Sequence, residues 1–155
     1  MAVTIDLTTG GASGISHYAL GEEFNFSQVF DLSVTNSASG DTLQLFKIPA
    51  KTLVKSVTVI ILTAEDGTLT GTFGDGAGAN DWILGPVNFE SAANTTYVSG
   101  DILTEGTPNV QEDLYYPGKY YATADTIDVV MSANAGDTAK FLVVINGVNV
   151  LKDIS

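Results

Sequence analysis

Between residues 41 and 62 the chain reads DTLQLFKIPAKTLVKSVTVIIL, two apolar runs separated by a proline. Leu43 and Leu45 flank Gln44. Val57, Val59 and Ile61 alternate with Ser56, Thr58 and Ile60. A period of two in β-branched and aliphatic residues suits a pleated, half-buried strand. Pro49 has no N–H to give to a ladder, so it belongs between strands or on an edge. Two consecutive strands, paired within one β-sandwich, are therefore predicted, joined through Ile48-Pro49-Ala50-Lys51, with Leu43, Leu45, Val57, Val59 and Ile61 in the core.

The same pattern recurs along the chain. Val3, Ile5 and Leu7 alternate with Thr4, Asp6 and Thr8, a short strand followed by the flexible TGGASG. This predicts an N-terminal arm over residues 1–14, with its strand detached from a β domain over 15–155. Residues 15–26 show no clear period. Residues 27–35 read as a strand, although Val29 and Val34 fit opposite phases, and NSASG at 36–40 is turn chemistry. Asp66-Gly67, between two β-rich runs, predicts a hairpin. The glycine-rich GDGAGAND at 74–81 leads into Trp82, and short edge pieces follow at 87–89 and 94–98. Residues 101–118 form a long, acidic, irregular stretch, of a length more often functional than inert. Strands are predicted at 119–123 and 126–131, the latter burying Ile127 and Val129. A closing strand is predicted at 138–151, with Phe141, Val143 and Ile145 on one face. Asn146-Gly147 is either a tight turn or a bulge in it. No helical period of ten residues appears. Many short strands separated by Gly, Asn and Asp turns mean a sandwich or a barrel.

Charge narrows the range of partners. The 155 residues are most simply one domain. Six lysines and no arginine face 18 acidic residues, a net charge of −12. Such a chain is ill suited to grip phosphate backbones or anionic membranes, so neither nucleic acid nor membrane is an expected partner. No apolar run approaches 18 residues, and the N-terminus lacks the pattern of a secretory signal. A specific partner must be engaged through apolar and backbone contacts, or through a basic patch of its own.

The candidate chemistry is sparse. There is no cysteine, and the one histidine, His17, has no G-x-S-x-G motif to serve. One histidine does not make a structural zinc site. Glu22, Glu23, Glu90, Glu105 and Glu112 lie in polar, loop-like surroundings, which do not raise a carboxyl pKa for acid catalysis. GDGAGAND has the ingredients of a calcium loop without its spacing, so Asp75, Asn80 and Asp81 read as turn residues. No catalytic residue, metal or cofactor is predicted. Trp82, Tyr115, Tyr116, Tyr120 and Tyr121 suit either an interface or sugar platform or the ends of a sandwich core. Tyr115 and Tyr116, closing the long loop, lean towards the interface.

DTLQLFKIPAKTLVKSVTV, then TFGDG with Trp82 close behind, then KYYATADTIDVVM and a closing FLVVINGV occur in that order. The arrangement resembles the capsid decoration (cement) or head-fibre proteins of tailed phages over roughly residues 41–148. The resemblance implies a jelly-roll-like antiparallel β-sandwich, often a homotrimer, fixed to the major capsid protein on the outer surface of the phage head. Strand addition would then place Val3, Ile5 and Leu7 of the arm in contact with the partner. Trp82, Tyr115 and Tyr116 would be further contacts. The alternative is a carbohydrate- or host-receptor-binding module of a phage fibre, with Trp82 and the tyrosines as its platform.

Overall fold

Apolar alternation sorts the strands into two sheets. In the computed structural model, which describes residues 3–8, 23–75, 84–99 and 118–150, sheet A runs β1(Thr4–Asp6), β3(Thr42–Ile48), β9(Asp125–Ala133), β5(Leu69–Gly74), β6(Leu84–Asn88). Sheet B runs β2(Glu23–Asp31), β10(Lys140–Asn149), β4(Thr52–Thr63), β7(Thr96–Val98), and β8(Lys119–Tyr121) also pairs with β4. Setting aside β1 and β8 and renumbering the other eight from one, the sheets read 1-8-3-6 and 2-7-4-5. That is the jelly-roll order, and the chain is an all-β sandwich of this kind, as expected. Every pairing is antiparallel except that of β1 with β3.

The inner faces explain the packing. All nine predicted core residues (Leu43, Leu45, Val57, Val59, Ile61, Ile127, Val129, Phe141 and Val143) are fully buried. Burying one such side chain contributes about 1.5–3 kcal/mol. Aromatic rings bridge the sheets. Phe46 of sheet A stands edge-on to Phe26 and Phe30 of sheet B, at 5.7 and 5.6 Å between centroids. Phe141 stacks on Phe30 at 5.5 Å and meets Phe89 at 4.9 Å. Asn146-Gly147 marks a bulge and not a turn: β10 runs on in register with β2, and the extra residue is Lys55 of β4, between the partners Val54 and Ser56. A Cβ on Gly147 would lie 2.5 Å from both the Leu53 carbonyl oxygen and the Phe24 ring, so only glycine allows this close approach.

Four expectations change. β2 begins at Glu23, not at residue 27, and Val34 lies in the turn after it. Phe24, Phe26 and Phe30 point inwards together with Gln28, while Val29 points outwards. One polar residue inside and one apolar residue outside hid the period. Second, the consecutive strands β3 and β4 lie in opposite sheets. Their link turns at Lys51 (φ 65°), whose N–H bonds the Tyr121 carbonyl at 2.6 Å. Third, Asp66-Gly67 closes no hairpin, because β4 and β5 also lie in opposite sheets. Fourth, the strand expected to be detached docks in parallel on β3, with Thr4 opposite Thr42 and Asp6 opposite Gln44.

Candidate functional surface

In a two-layer sandwich the outward side chains need only be polar enough to face water. Sheet A follows this rule. Thr4 and Asp6 of β1, Thr42 and Gln44 of β3, Thr126, Asp128 and Ser132 of β9, and Thr70 and Thr72 of β5 share its outer face, with Val130 an apolar exception.

Sheet B does not. Val29, Leu142 and Ile60 stand side by side across three strands, and Val144, Thr58 and Val98 form the next row. Val148, Leu53 and Tyr120 form another row towards the far end, beyond a polar row of Asn25, Asn146 and Ser56 in which the Asn146 amide donates to Ser56 Oγ at 2.9 Å. Val29 is 52% exposed, Tyr120 50% and Leu62 38%, so these apolar side chains are open to solvent. The charges sit at the ends and are paired. Lys55 bonds Glu23, and Lys140 bonds Asp31 at 2.7 Å. The Lys55 bond holds the Glu23 carboxyl below the usual range, and those from Lys140 and Ser33 do so for Asp31. The sequence carried a signal for this face. VIIL (59–62) and FLVVI (141–145) are unbroken apolar runs, the mark of strands covered on both sides.

The predicted contact residues fare unequally. Val3 is 45% exposed at the start of β1. Ile5 and Leu7 are partly buried against the core, so they hold the strand down. Asp41 fixes its start, with Oδ1 accepting the Val3 N–H at 2.9 Å and Oδ2 that of Ala38 at 2.7 Å. Those two bonds, Ala38 first, hold the Asp41 carboxyl below its usual range. The outer edge of β1 has no strand partner among the described residues. Trp82, Tyr115, Tyr116, His17, Glu22, Glu105, Glu112 and most of GDGAGAND lie outside the described residues. Of the remaining aromatics, Tyr121 is buried in the core and Tyr120 is exposed on sheet B.

The described carboxylates do not form a catalytic pair. Glu65, Asp66 and Asp137 converge closely enough to suggest a metal. Glu65, however, already accepts the backbone N–H groups of Asp137, Thr138 and Ala139, at 3.3, 3.3 and 2.9 Å. Its work is to tie the β4–β5 crossing to the start of β10. Asp75 pairs with Lys119. Asp128 is the unusual acid. It is buried on the outer side of β9 between Gln44 and Gly74, and its Oδ1 has no hydrogen-bond partner. Burial pushes its pKa up to about 6 against the pull of the Thr126 hydrogen bond, and the charges of Asp125 and Asp75 add to the rise.

No protein-family model matches the chain, and no curated protein sequence does. Solved structures do match. A chain in "Capsid of Ralstonia phage GP4" superposes with a TM-score of 0.60 at 12% identity, over 95% of this chain and 99% of that one. A chain in "Cyanophage Pam1 capsid asymmetric unit" gives 0.52 at 12% identity, over 84% and 88%. One in "Acidic stable capsid structure of Helicobacter pylori bacteriophage KHP30" gives 0.51 at 8% identity, over 84% and 90%. The chain therefore has a β-sandwich fold that also occurs in the capsids of three phages. At these identities the likeness is one of fold.

Proposed function

We propose that this chain is a structural virion protein that decorates and stabilises the outside of a tailed-phage capsid, as a homotrimer bound to the major capsid protein. The observation that carries the reading is the extent of the likeness to the Ralstonia phage capsid chain, which spans nearly the whole of both chains. The reading assigns no catalytic residue. Attachment uses strand addition at the free edge of β1, where backbone N–H and C=O groups supply affinity without basic side chains. Val3, whose N–H and C=O are taken by Asp41 and Thr42, contributes its exposed side chain there. Trp82, Tyr115 and Tyr116 are its proposed companions at the shell.

The test is co-sedimentation of purified protein with undecorated capsids. Saturable binding of the intact chain is expected, together with a raised thermal midpoint of the decorated capsid. Removing residues 1–14 or shortening 103–116 should weaken binding. Intact protein that never associates with capsids would end the proposal. Truncated forms that bind as well as the intact chain would remove these segments from the attachment.

A further inference from the structure

We infer that the outer face of sheet B is the surface through which copies of this chain meet, each subunit turning the β2-β10-β4 layer towards the oligomer axis. The inference takes from the previous section only that the chain self-associates; it does not depend on a capsid. Three observations carry it. The first is the two-sided apolar character of β4 and β10. Ile60, Leu142 and Val144 project away from the core from the middle of the sheet, flanked by Val29 and Val98. A sandwich closed by its inner faces has no need of them, and exposed contiguous apolar patches mark interaction sites.

The second is charge. A chain with a net charge of −12 repels its own copies. On this face each acid at the ends has a lysine partner, Glu23 with Lys55 and Asp31 with Lys140, so the face is neutral. A basic partner would be met by the acids that the chain has in excess elsewhere. A neutral apolar face fits another neutral apolar face, and a second copy supplies one.

The third is area. Three to four strands about 4.8 Å apart and about nine residues long at 3.3 Å per residue span roughly 430–570 Å² per subunit. Two such faces come to roughly 860–1,140 Å², close to the ~1,000 Å² that a specific interface must clear.

The experiment measures mass by light scattering and sedimentation on the full chain and on two variants. In Val29→Lys/Leu62→Lys, both replaced side chains already reach solvent, so the subunit has room for the lysines. In the control, Thr72→Lys, the charge lies on the outer face of sheet A. The intact chain is expected to be oligomeric at micromolar concentration and to remain so in 1 M salt, because apolar contacts are not screened. The double variant should become monomeric, with a dissociation constant raised at least about 100-fold, while its circular dichroism and unfolding midpoint as a monomer stay native. Thr72→Lys should leave the oligomer intact.

A monomeric intact chain overturns the inference, and so does an oligomer indifferent to the double variant. Capsid binding is scored separately with the same proteins. A monomeric intact chain whose capsid binding is abolished by Val29→Lys/Leu62→Lys would assign the face to the shell instead. An oligomer broken by the variant in a protein that ignores capsids would leave the inference standing and end the capsid reading.

Discussion

The two outer faces of this sandwich answer the same structural demand differently. Both belong to sheets whose inner sides are packed with fully buried residues, Leu43, Phe46, Ile127 and Val129 from sheet A and Val57, Val59, Phe141 and Val143 from sheet B. Outside, sheet A carries Thr70, Thr72, Thr126 and Gln44, and sheet B carries Val29, Ile60, Leu142 and Val144. Folding needs only the inner faces. The composition of an outer face is free to reflect what it touches. Sheet A reads as a face meant for water, and sheet B reads as a face meant for another protein.

The largest expected effect removes the support common to both. Phe141 stacks on Phe30 and meets Phe89, so Phe141→Ala leaves a cavity between the sheets. A loss of about 3–5 kcal/mol is expected in chemical denaturation. Both faces should melt together in one transition, because neither sheet has an independent core. A biphasic transition would mean that the sheets are separable and that comparing them as parts of one unit is mistaken.

The next effect lies at the joint between the sheets. Glu65, 5% exposed, accepts three backbone N–H groups at the start of β10. Glu65→Ala leaves those donors unpaired, at a cost of about 1–3 kcal/mol in unfolding free energy. Hydrogen exchange should quicken at Thr138 and Ala139, next to the Lys140 end of the sheet B face, and change little at Thr126 and Asp128 on sheet A.

Legibility in the sequence follows from how local each feature is. Strands β3, β4, β9 and β10 could be read because alternation is a property of neighbouring residues. The first half of β2 could not, since Gln28 and Val29 have exchanged the polarities their positions would predict and hide the period that starts at Phe24. Which sheet a strand joins is set by partners up to about a hundred residues away, as Thr52 and Asn149 show with their hydrogen bond at 3.2 Å. For this reason a proline link and an Asp-Gly turn looked like connections within one sheet. The apolar outer face was written in VIIL and FLVVI, but a run that is apolar on both sides does not say which side is the core. The burial of Asp128 had no local sign, because Thr126, Asp128 and Val130 have the spacing of any exposed strand face.

Asp128 is the departure from polar, solvated behaviour on sheet A, and it gives that face a pH dependence opposite in sign to that of Glu23 and Asp31 on sheet B, whose carboxyls are held low. Its folded pKa, about 6, lies above the ordinary 3.8. The folded state therefore binds this proton more tightly than the unfolded state does. The resulting stability is fully present below about 3.8 and is lost as the pH rises through 6. The thermal midpoint of the monomeric Val29→Lys/Leu62→Lys variant should rise as the pH is lowered from 8 towards 5. Adding Asp128→Asn should raise the midpoint at pH 8 and flatten that slope. An unchanged slope would show that Asp128 is solvated in the folded protein.

The finest test applies one substitution to both faces. Thr58 is centred on the outside of sheet B between Val144 and Val98, and Thr72 is paired with Val130 on the outside of sheet A. Thr→Val exchanges a hydroxyl for a methyl group at nearly constant size, and both positions lie on outward strand faces, so either change should alter subunit stability by no more than about 0.5 kcal/mol. Association should separate them. Thr58→Val completes an apolar row and should tighten the oligomer several-fold, read as a lower dissociation constant in dilution experiments. Thr72→Val should leave the dissociation constant unchanged, because its surroundings of Thr42, Gln44 and Asp128 stay polar and offer no second apolar surface to meet. Equal effects at the two sites would mean that the outer faces are equivalent and that the apolar runs of β4 and β10 serve folding alone.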